Sequence, residues 1–358
     1  SLFDSDVVIN LSAAPGSQTV SGEFALNLNG EQFTGVSTGN GNDKITGRAS
    51  LGTAMNGNVG NDQLTGGTGD DFLYGSPGTD SLAGWGGNDT YIFDTDGAAG
   101  TAYLYDQGVG IDTLDFSLTT TRPVSVDLGI ASPQAVNQGL TLKLSSGNVI
   151  ENVIGGSMQD TVFGNELVNQ LNGNGPNDVL IGNGSGDRFT FDLTVSNGMT
   201  ARVRAGVPQQ TVNLIGIFDS VHGNRPLRVS ASSSNTSVIP TPNVSYASPD
   251  HTGTLYFTPV AGKSGNATIT VRVEDGGLDN DLLTLGDNVT VLRVFYVNVT
   301  SVVPVFTAPL VSAAPRPTFS WTPITGAASY RLTVSNLITG VANVIDTTVL
   351  TTSGCRRT

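Results

Sequence analysis

The chain has 358 residues, a formal net charge of −14 and a single cysteine, Cys355. The acidic balance argues against nucleic acid as a partner, because phosphate binding requires clustered Lys and Arg. One cysteine excludes an internal disulfide and a cysteine-based zinc site. The sequence contains no run of 18 apolar residues, so it predicts no membrane span. Its 46 glycines, its lack of helical periodicity and its alternating Val, Thr, Ile and Tyr predict an all-β protein.

A nine-residue frame recurs within the first 100 residues, where Lys44 and Arg48 are the only cations. The frame reads Gly-Gly-x-Gly-x-Asp-x-apolar-x, and residues 66–74 (GGTGDDFLY) match it at every specified position. Residues 47–56 are a degenerate copy with one extra residue and no aspartate. The sixth positions of the other copies are Asp43, Asp62, Asp71, Asp80 and Asp89. A flexible linker has no reason to keep aspartate in phase with an apolar residue, so the frame indicates a folded repeat.

A second tract of this frame begins at Gly155 and ends near residue 192. Its sixth positions are Asp160, Asn169, Asp178 and Asp187. Asp43 and Asp160 are 117 residues apart, as are Leu11 and Leu128 before the two tracts. The sequence therefore predicts two copies of one larger unit. Residues 107–117 between the tracts form a further nonapeptide, with Asp112 in the sixth place.

The frame predicts a coiled parallel sheet that binds a cation. Six glycine-rich residues form a turn and three form a short strand, so two frames complete one coil of a right-handed parallel β-roll. Aspartates of successive coils then stack ~4.8 Å apart and repel one another by roughly 3.5 kcal/mol at an effective dielectric of ~20. A divalent cation between them reverses the sign of this interaction. Oxygen ligands on flexible glycine turns favour calcium over octahedral magnesium.

Backbone carbonyls complete the predicted calcium sites. The glycines expected to supply them are Gly39, Gly41, Gly60, Gly67, Gly69, Gly78, Gly87 and Gly156. Each frame supplies only one apolar side chain, which is too little to offset chain entropy alone. We therefore expect the roll to order only with calcium bound.

These motifs resemble bacterial RTX proteins, whose hemolysin-type calcium-binding repeats carry the same nonapeptide. The resemblance covers roughly residues 30–192 and includes the flanking segments 110–117 (GIDTLDFS) and 150–157 (IENVIGGS). It implies Ca²⁺ as the ligand and export to a calcium-rich exterior, as a secreted or cell-surface bacterial protein. It implies no single activity, because the repeat accompanies toxins, proteases, lipases and adhesins alike.

Strand patterning continues beyond the glycine frames. From about Thr200, alternating segments separated by turns extend over roughly 100 residues, which is typical of a β-sandwich. This region resembles Ig-like or cadherin-like modules, and the segment from about Pro304 resembles the start of a fibronectin type III module. The predicted units are two flanked rolls, an Ig-like β-sandwich and an incomplete second sandwich, at 1–105, 106–198, 199–301 and 302–358. We expect the chain to be an excerpt of a longer protein.

The acidic loop 274–288 (EDGGLDNDLLTLGDN) is a further candidate calcium site, with Asp275, Asp279 and Asp281 as ligands. It is not an EF-hand, because Asn280 stands where the invariant glycine belongs. A solvated acidic hairpin is the stronger explanation of this loop.

The sequence carries no recognisable catalytic motif. It contains two histidines, no His-Glu-x-x-His and no Gly-x-Ser-x-Gly. We therefore predict a non-enzymatic, calcium-binding extracellular structural or adhesive module, whose partner is a cell-surface or matrix protein or a glycan. The alternative is a non-catalytic accessory region of a secreted protease or lipase whose catalytic domain lies outside this chain.

Overall fold

The computed structural model is all-β over the residues that it describes. It describes residues 6–11, 35–97, 100–106, 109–184, 186–194, 198–218, 225–277, 279–283 and 287–301 in full. It also describes the backbone of strands at 17–20, 24–27, 306–308, 318–321, 329–334, 345–350 and 354–356. No helix in these ranges is long and apolar enough to cross a membrane.

The strands of the first half are mostly three residues long, as the short non-glycine part of each frame predicts. They are β1 Val8–Asn10, β2 Ser17–Val20, β3 Phe24–Asn27, β4 Gly35–Ser37, β5 Lys44–Thr46, β6 Ala54–Asn56, β7 Gln63–Thr65, β8 Phe72–Tyr74, β9 Thr79–Ala83, β10 Thr90–Ile92, β11 Gly100–Leu104, β12 Thr113–Asp115, β13 Ser125–Asp127, β14 Gln134–Asn137, β15 Leu140–Leu144, β16 Asn152–Ile154, β17 Thr161–Phe163, β18 Gln170–Asn172, β19 Val179–Ile181 and β20 Arg188–Asp192.

Longer strands follow where the glycine frames stop. They are β21 Thr200–Arg204, β22 Gln210–Ile215, β23 Leu227–Ser233, β24 Asn243–Ser245, β25 Gly253–Phe257, β26 Gly265–Asp275, β27 Thr290–Thr300, β28 Phe306–Ala308, β29 Thr318–Trp321, β30 Ser329–Val334, β31 Ile345–Leu350 and β32 Gly354–Arg356. The alternation of apolar and polar residues predicts β22, β23 and β25–β27, and the structure confirms these strands.

Three large sheets contain most of these strands. The long sheet has 11 strands in the order β24-β25-β22-β20-β18-β16-β12-β10-β8-β6-β4. The N-terminal sheet has 7 strands in the order β1-β5-β7-β9-β11-β15-β14. The C-terminal sheet has 7 strands in the order β13-β17-β19-β21-β27-β26-β23. Smaller sheets pair β2 with β3, β29 with both β28 and β32, and β30 with β31.

Successive frames contribute strands alternately to two facing sheets. In the first tract, β5, β7 and β9 pair in parallel in the N-terminal sheet, while β6, β8 and β10 pair in parallel in the long sheet. Leu64 lies opposite Ile45 and Leu82, which are 19 residues before and 18 after it. The predicted coil of two frames is therefore confirmed, and the extra residue of the degenerate copy is absorbed within one coil.

The second tract repeats this arrangement with the C-terminal sheet in place of the N-terminal one. Here β17 pairs with β19, and β18 pairs with β20 in the long sheet. The strand before each tract occupies an equivalent place, since Val8 lies opposite Lys44 and Ser125 lies opposite Thr161. The predicted duplication at 117 residues is confirmed by these registers.

One apolar core runs through both rolls and into the longer strands. The eighth-position side chains Ile45, Leu64, Leu73, Leu82, Tyr91, Val162, Leu171, Leu180 and Phe189 are at most 1% exposed. They belong to a single cluster of buried residues that extends to Val299. The alternation within each frame, with one inward side chain per strand, is what aligns them.

The longer strands continue the two sheets of the second roll. Strand β22 pairs in parallel with β20, and β27 pairs in parallel with β21. Antiparallel strands β25, β24, β26 and β23 then extend the two sheets. The long sheet thus crosses residues 105 and 198 without a break, and the division into four units stays a prediction.

Leu73→Ala tests the core of the roll. Leu73 is 0% exposed at the centre of β8, and deletion of a buried leucine side chain typically costs ~2–5 kcal/mol. We expect thermal unfolding in the presence of calcium to show a destabilisation in this range. Phe72→Ala on the same strand is the matched control, because Phe72 is 51% exposed and its loss should cost about 1 kcal/mol or less. Equal destabilisation by both variants would contradict the assigned register.

Candidate metal centre

The sixth-position side chains lie one behind another along the edges of the rolls. Three columns form, one beside each large sheet, because each side chain directly precedes a paired strand or, for Asp80, lies at the start of one. They contain Asp43, Asp62 and Asp80 beside the N-terminal sheet, Asp71, Asp89, Asp112, Asn169 and Asp187 beside the long sheet, and Asp160 and Asp178 beside the C-terminal sheet. None of these side chains is more than 4% exposed.

Each column is connected by a hydrogen bond between side chain and backbone. Within a column, the Oδ1 atom of an aspartate accepts the backbone N–H of the sixth-position residue in the preceding coil. Asp43 and Asp160, the first in their columns, accept from Val7 and Val124 instead. The donor–acceptor pairs are Asp43 to Asp62 at 2.8 Å, Asp62 to Asp80 at 3.0 Å, Asp71 to Asp89 at 2.8 Å, Asp160 to Asp178 at 2.8 Å and Asn169 to Asp187 at 3.0 Å. The predicted stacking partners are thus confirmed.

The hydrogen bonds that connect each column form a sixth-position relay. This relay extends to residues that the repeat frame does not identify. Thr53 of the degenerate copy donates its N–H to Asp71 Oδ1 at 2.7 Å. Glu151 Oε2 accepts the Asp112 N–H at 2.8 Å, and Gln210 Oε1 accepts the Asp187 N–H at 3.1 Å. Thr53 and Glu151 directly precede a strand and Gln210 begins one, and this position was the available signal. The Gln210 contact shows that a neutral side chain can make this hydrogen bond.

The first glycine of each frame provides room for the second carboxylate oxygen. A Cβ atom built on Gly57, Gly66, Gly75 or Gly84 would overlap Oδ2 of the aspartate five positions later. The same holds in the second tract, at Gly155, Gly173 and Gly182. These glycines stand at a fixed place in the frame, which was the sequence signal for this steric requirement, but they are not among the glycines predicted as ligands.

The glycines predicted to supply carbonyls approach the neighbouring coil closely. A Cβ on Gly60 would overlap the Gly41 carbonyl, and a Cβ on Gly78 would overlap the Gly60 carbonyl. Similar backbone approaches involve Gly67 with Arg48, Gly69 with Gly52, Gly87 with Gly69 and Gly156 with Thr119. Gly39 is half-buried. The carbonyls of Gly41 and Gly60 therefore face the next coil, but ligation by any of these glycines stays a prediction.

A second relay at the fifth position runs in the opposite direction. Asn42 donates its backbone N–H to Asp6 Oδ1 at 2.7 Å, and Asn61 donates to Asn42 Oδ1 at 2.8 Å. Asn88 likewise donates to Asp70 Oδ1 at 2.7 Å. These side chains accept from the following coil, whereas the sixth-position aspartates accept from the preceding one. The recurrence of Asn or Asp at the fifth position was the sequence signal for this relay.

Burial of the carboxylates is electrostatically unfavourable without a counter-charge. Desolvation raises the pKa of Asp62 to about 6, of Asp80, Asp89 and Asp160 to about 7, and of Asp112 and Asp187 to about 8. It also raises the pKa of Asp71 and Asp178. The neighbouring carboxylate in the stack adds repulsion, as Asp43 does for Asp62.

The donor set fits a hard divalent cation. Asp43, Asp62 and Asp89 each have a buried Oδ2 atom without a hydrogen-bond partner, and an unsatisfied buried polar atom costs about 1–3 kcal/mol. Carboxylate and carbonyl oxygens on glycine turns are the ligands that Ca²⁺ prefers. The residues suited to hold the ion are the stacked aspartates, and the ion would supply the positive charge that their surroundings lack.

The predicted ligands of the acidic loop 274–288 do not come together as the stacked aspartates do. Asp275 is 5% exposed, and its Oδ1 accepts the N–H groups of Gly277 at 3.0 Å and Val289 at 2.8 Å. Asp279 and Asp281 are exposed and accept local backbone N–H groups at 2.9 Å. Within the described part of the chain, these three carboxylates do not form a group close enough to share an ion. A calcium site in this loop stays a prediction.

Comparison with protein families identifies part of the first roll. Residues 56–91 match the family model of the RTX calcium-binding nonapeptide repeat, in four copies. These residues are RTX repeats. RTX repeats bind Ca²⁺, so Ca²⁺ is the cofactor of the first roll. The second tract lies outside the matched residues. None of the curated proteins matches the chain.

Asp71→Asn tests the RTX site directly. The amide keeps an oxygen that can accept the Thr53 N–H but removes a charged oxygen ligand. We expect weaker or fewer bound calcium ions in a calorimetric titration of the full chain. Asp70→Asn is the matched control, because Asp70 is exposed and its Oδ1 serves the fifth-position relay. Equal loss in both variants would contradict the distinction between the two positions.

The raised pKa values predict opposite pH responses with and without calcium. An aspartate whose folded pKa lies above its ordinary value near 4 stabilises the fold below that value, and this contribution is lost as the pH rises to between 6 and 8. In the presence of a chelator that removes calcium, the protein should therefore melt at a lower temperature at pH 8 than at pH 5. Calcium requires deprotonated ligands, so the rise in melting temperature on calcium addition should be larger at pH 8. Equal rises at both pH values, measured by scanning calorimetry, would contradict the role of these carboxylates.

Proposed function

We propose that the chain is a non-catalytic structural or adhesive segment of a secreted or cell-surface bacterial protein, folded and stiffened by Ca²⁺. The observation that carries this proposal is the continuity of the 11-stranded long sheet, along which buried acidic residues recur at one edge. Each coil of the rod depends on Ca²⁺ to neutralise its buried carboxylates. The rod is therefore rigid only where calcium is abundant. Proteins with RTX repeats are typically secreted by bacteria, which supports an extracellular location.

The parallel architecture supports a mechanical role. Successive strands of a sheet stand ~4.8 Å apart, so the rolls extend the chain along one axis. Every coil contacts only the coils before and after it, and stability therefore depends on each interface along the rod. Loss of calcium at any interface leaves stacked carboxylates facing each other. The proposed rod would soften as a whole when calcium is withdrawn.

The region after the rolls supports an Ig-like module as the adhesive part. Strands β22, β24 and β25 face β23, β26 and β27 across a shared core in which Phe191 and Phe295 have ring centroids 5.1 Å apart. Many cell-surface domains share an antiparallel two-sheet sandwich, which supports a role in binding a protein or glycan of a cell surface or matrix.

Withdrawal of calcium from the full chain tests the proposal. We expect EDTA to reduce the β signal in circular dichroism and to increase the radius of gyration in small-angle X-ray scattering, because the rolls lose the cation that offsets their buried charge. Added Ca²⁺ should reverse both changes, whereas equimolar Mg²⁺ should be much less effective.

Two outcomes would contradict the proposal. An unchanged β spectrum and unchanged dimensions in EDTA would show that calcium does not stiffen the rod. Hydrolysis of a protein or ester substrate by the isolated chain would show that the segment is not merely structural.

A further inference from the structure

Three buried carboxylates meet where the first roll passes into the second. Asp89, Asp106 and Asp112 each offer an oxygen, and these oxygens all lie within 4.8 Å of one another. The three side chains are 0%, 1% and 4% exposed. Oxygens that share one Ca²⁺ ion at 2.3–2.6 Å are at most about 5 Å apart. The spacing therefore matches a shared ion without rearrangement of the backbone.

The cluster draws on two sheets. Asp89 and Asp112 precede β10 and β12 of the long sheet, whereas Asp106 follows β11 of the N-terminal sheet. Asp106 lies outside the nonapeptide frame, so the repeat alone does not account for it. Its backbone carbonyl accepts the Ser145 hydroxyl at 3.0 Å, which ties it to the end of β15. An ion held by all three residues would connect the two facing sheets.

One oxygen of the cluster is a buried acceptor without a partner. Asp89 uses Oδ1 to accept the Asp71 N–H at 2.8 Å, while its Oδ2 has no hydrogen bond. This Oδ2 faces Gly84, whose N–H donates to the Tyr91 hydroxyl at 2.9 Å. The same hydroxyl donates to Asp106 Oδ2 at 2.6 Å. The unpartnered oxygen thus points to the side on which Tyr91 and Asp106 lie.

The second roll offers an internal comparison at the corresponding place. The equivalent strands lie 98 residues later, since Tyr91 opposite Leu114 corresponds to Phe189 opposite Val212. Asp89 then corresponds to Asp187 and Asp112 to Gln210. The Asp187 N–H donates to Gln210 Oε1 as the Asp89 N–H donates to Asp112 Oδ1 at 2.8 Å. The hydrogen bond between coils therefore does not require a carboxylate at this position.

Asp106 and the tyrosine that contacts it also lack counterparts in the second roll. Leu104 lies opposite Leu82, and Ala201 lies opposite Leu180. Two residues further along, Asp106 in the first unit corresponds to Val203 in the second, and the tyrosine hydroxyl is absent from Phe189. The fold accommodates neutral and apolar residues at these places. Asp106 and Asp112 are therefore in excess of what packing requires at the first junction.

We propose that Asp89, Asp106 and Asp112 bind a Ca²⁺ ion that clamps the N-terminal sheet to the long sheet at the junction of the two rolls. The proposal rests on the proposed function, since it adds a site to a calcium-dependent rod. It differs from the repeat sites because Asp106 comes from the connection after β11. Tyr91 positions the Asp106 carboxylate by hydrogen bonding and is not a ligand.

Asp106→Asn in the full chain tests the site. The amide oxygen can still accept the Tyr91 hydroxyl, but the charge of the ligand is lost. We expect calorimetric titration with CaCl₂ to give one bound ion fewer than in the wild type. The matched control is Asp115→Asn, because Asp115 lies near the junction and accepts the Ser117 N–H at 2.8 Å outside the cluster. The control should keep the wild-type number of ions.

A crystal of the wild-type chain grown in CaCl₂ provides a measurement that does not depend on the variant's folding. A calcium anomalous peak within about 2.6 Å of oxygens from Asp89, Asp106 and Asp112 would support the proposal. Peaks at the repeat turns with none at this cluster, or an unchanged ion count in Asp106→Asn, would overturn it and leave the proposed function intact. A wild-type chain that binds no calcium would overturn both.

Discussion

The structure depends on the burial of a carboxylate in nearly every nine-residue frame. One oxygen of each aspartate accepts the N–H of the preceding coil, while the other lies against the first glycine of its own frame. The first contact links neighbouring coils in addition to the backbone pairing of their strands. The second explains the glycine, since a Cβ at Gly66 would overlap Asp71 Oδ2. Register, glycine content and affinity for a cation are consequences of this one arrangement.

The dependence on charge ends where the apolar core becomes large enough. Along the long sheet the column passes from Asp187 to the neutral Gln210, which is the first residue of strand β22. Beyond this point the strands lengthen to 11 residues in β26 and β27. Each of these strands buries several apolar side chains, whereas a frame of the roll buries one. The two halves share a sheet but are held together by different forces.

The period of the sequence was sufficient to predict the stacking partners. Asp62 and Asp80 are 18 residues apart and share a hydrogen bond, because the repeat length alone determines which frames lie on the same edge. The inward side chains, such as Leu73, follow from the same period. The longer strands were also predictable, since their alternation is strict. Local patterns of this kind need no knowledge of distant contacts.

The sequence could not predict contacts between segments that do not repeat. Asp106 reaches Asp89 only because β11 pairs with β9. The sequence after β11 contains no pattern that predicts this pairing. The parallel addition of β22 to β20 was missed for the same reason. Alternation identifies a strand and its buried face, but it does not say which neighbour the strand takes. The predicted boundary at 198/199 followed from a change of pattern, although the sheet runs across it.

The hydrogen bonds of the two relays do not depend on the charge of the buried carboxylates. The fifth-position side chains accept from the following coil and the sixth-position side chains from the preceding one, so these hydrogen bonds link a coil to both of its neighbours. A proton on the buried carboxylates leaves an acceptor oxygen in place, and so does a bound cation. What distinguishes these states is the free energy of the buried charge, which burial makes unfavourable. Calcium therefore acts on the stability of an arrangement that the backbone already specifies, and acidic pH should partly substitute for it.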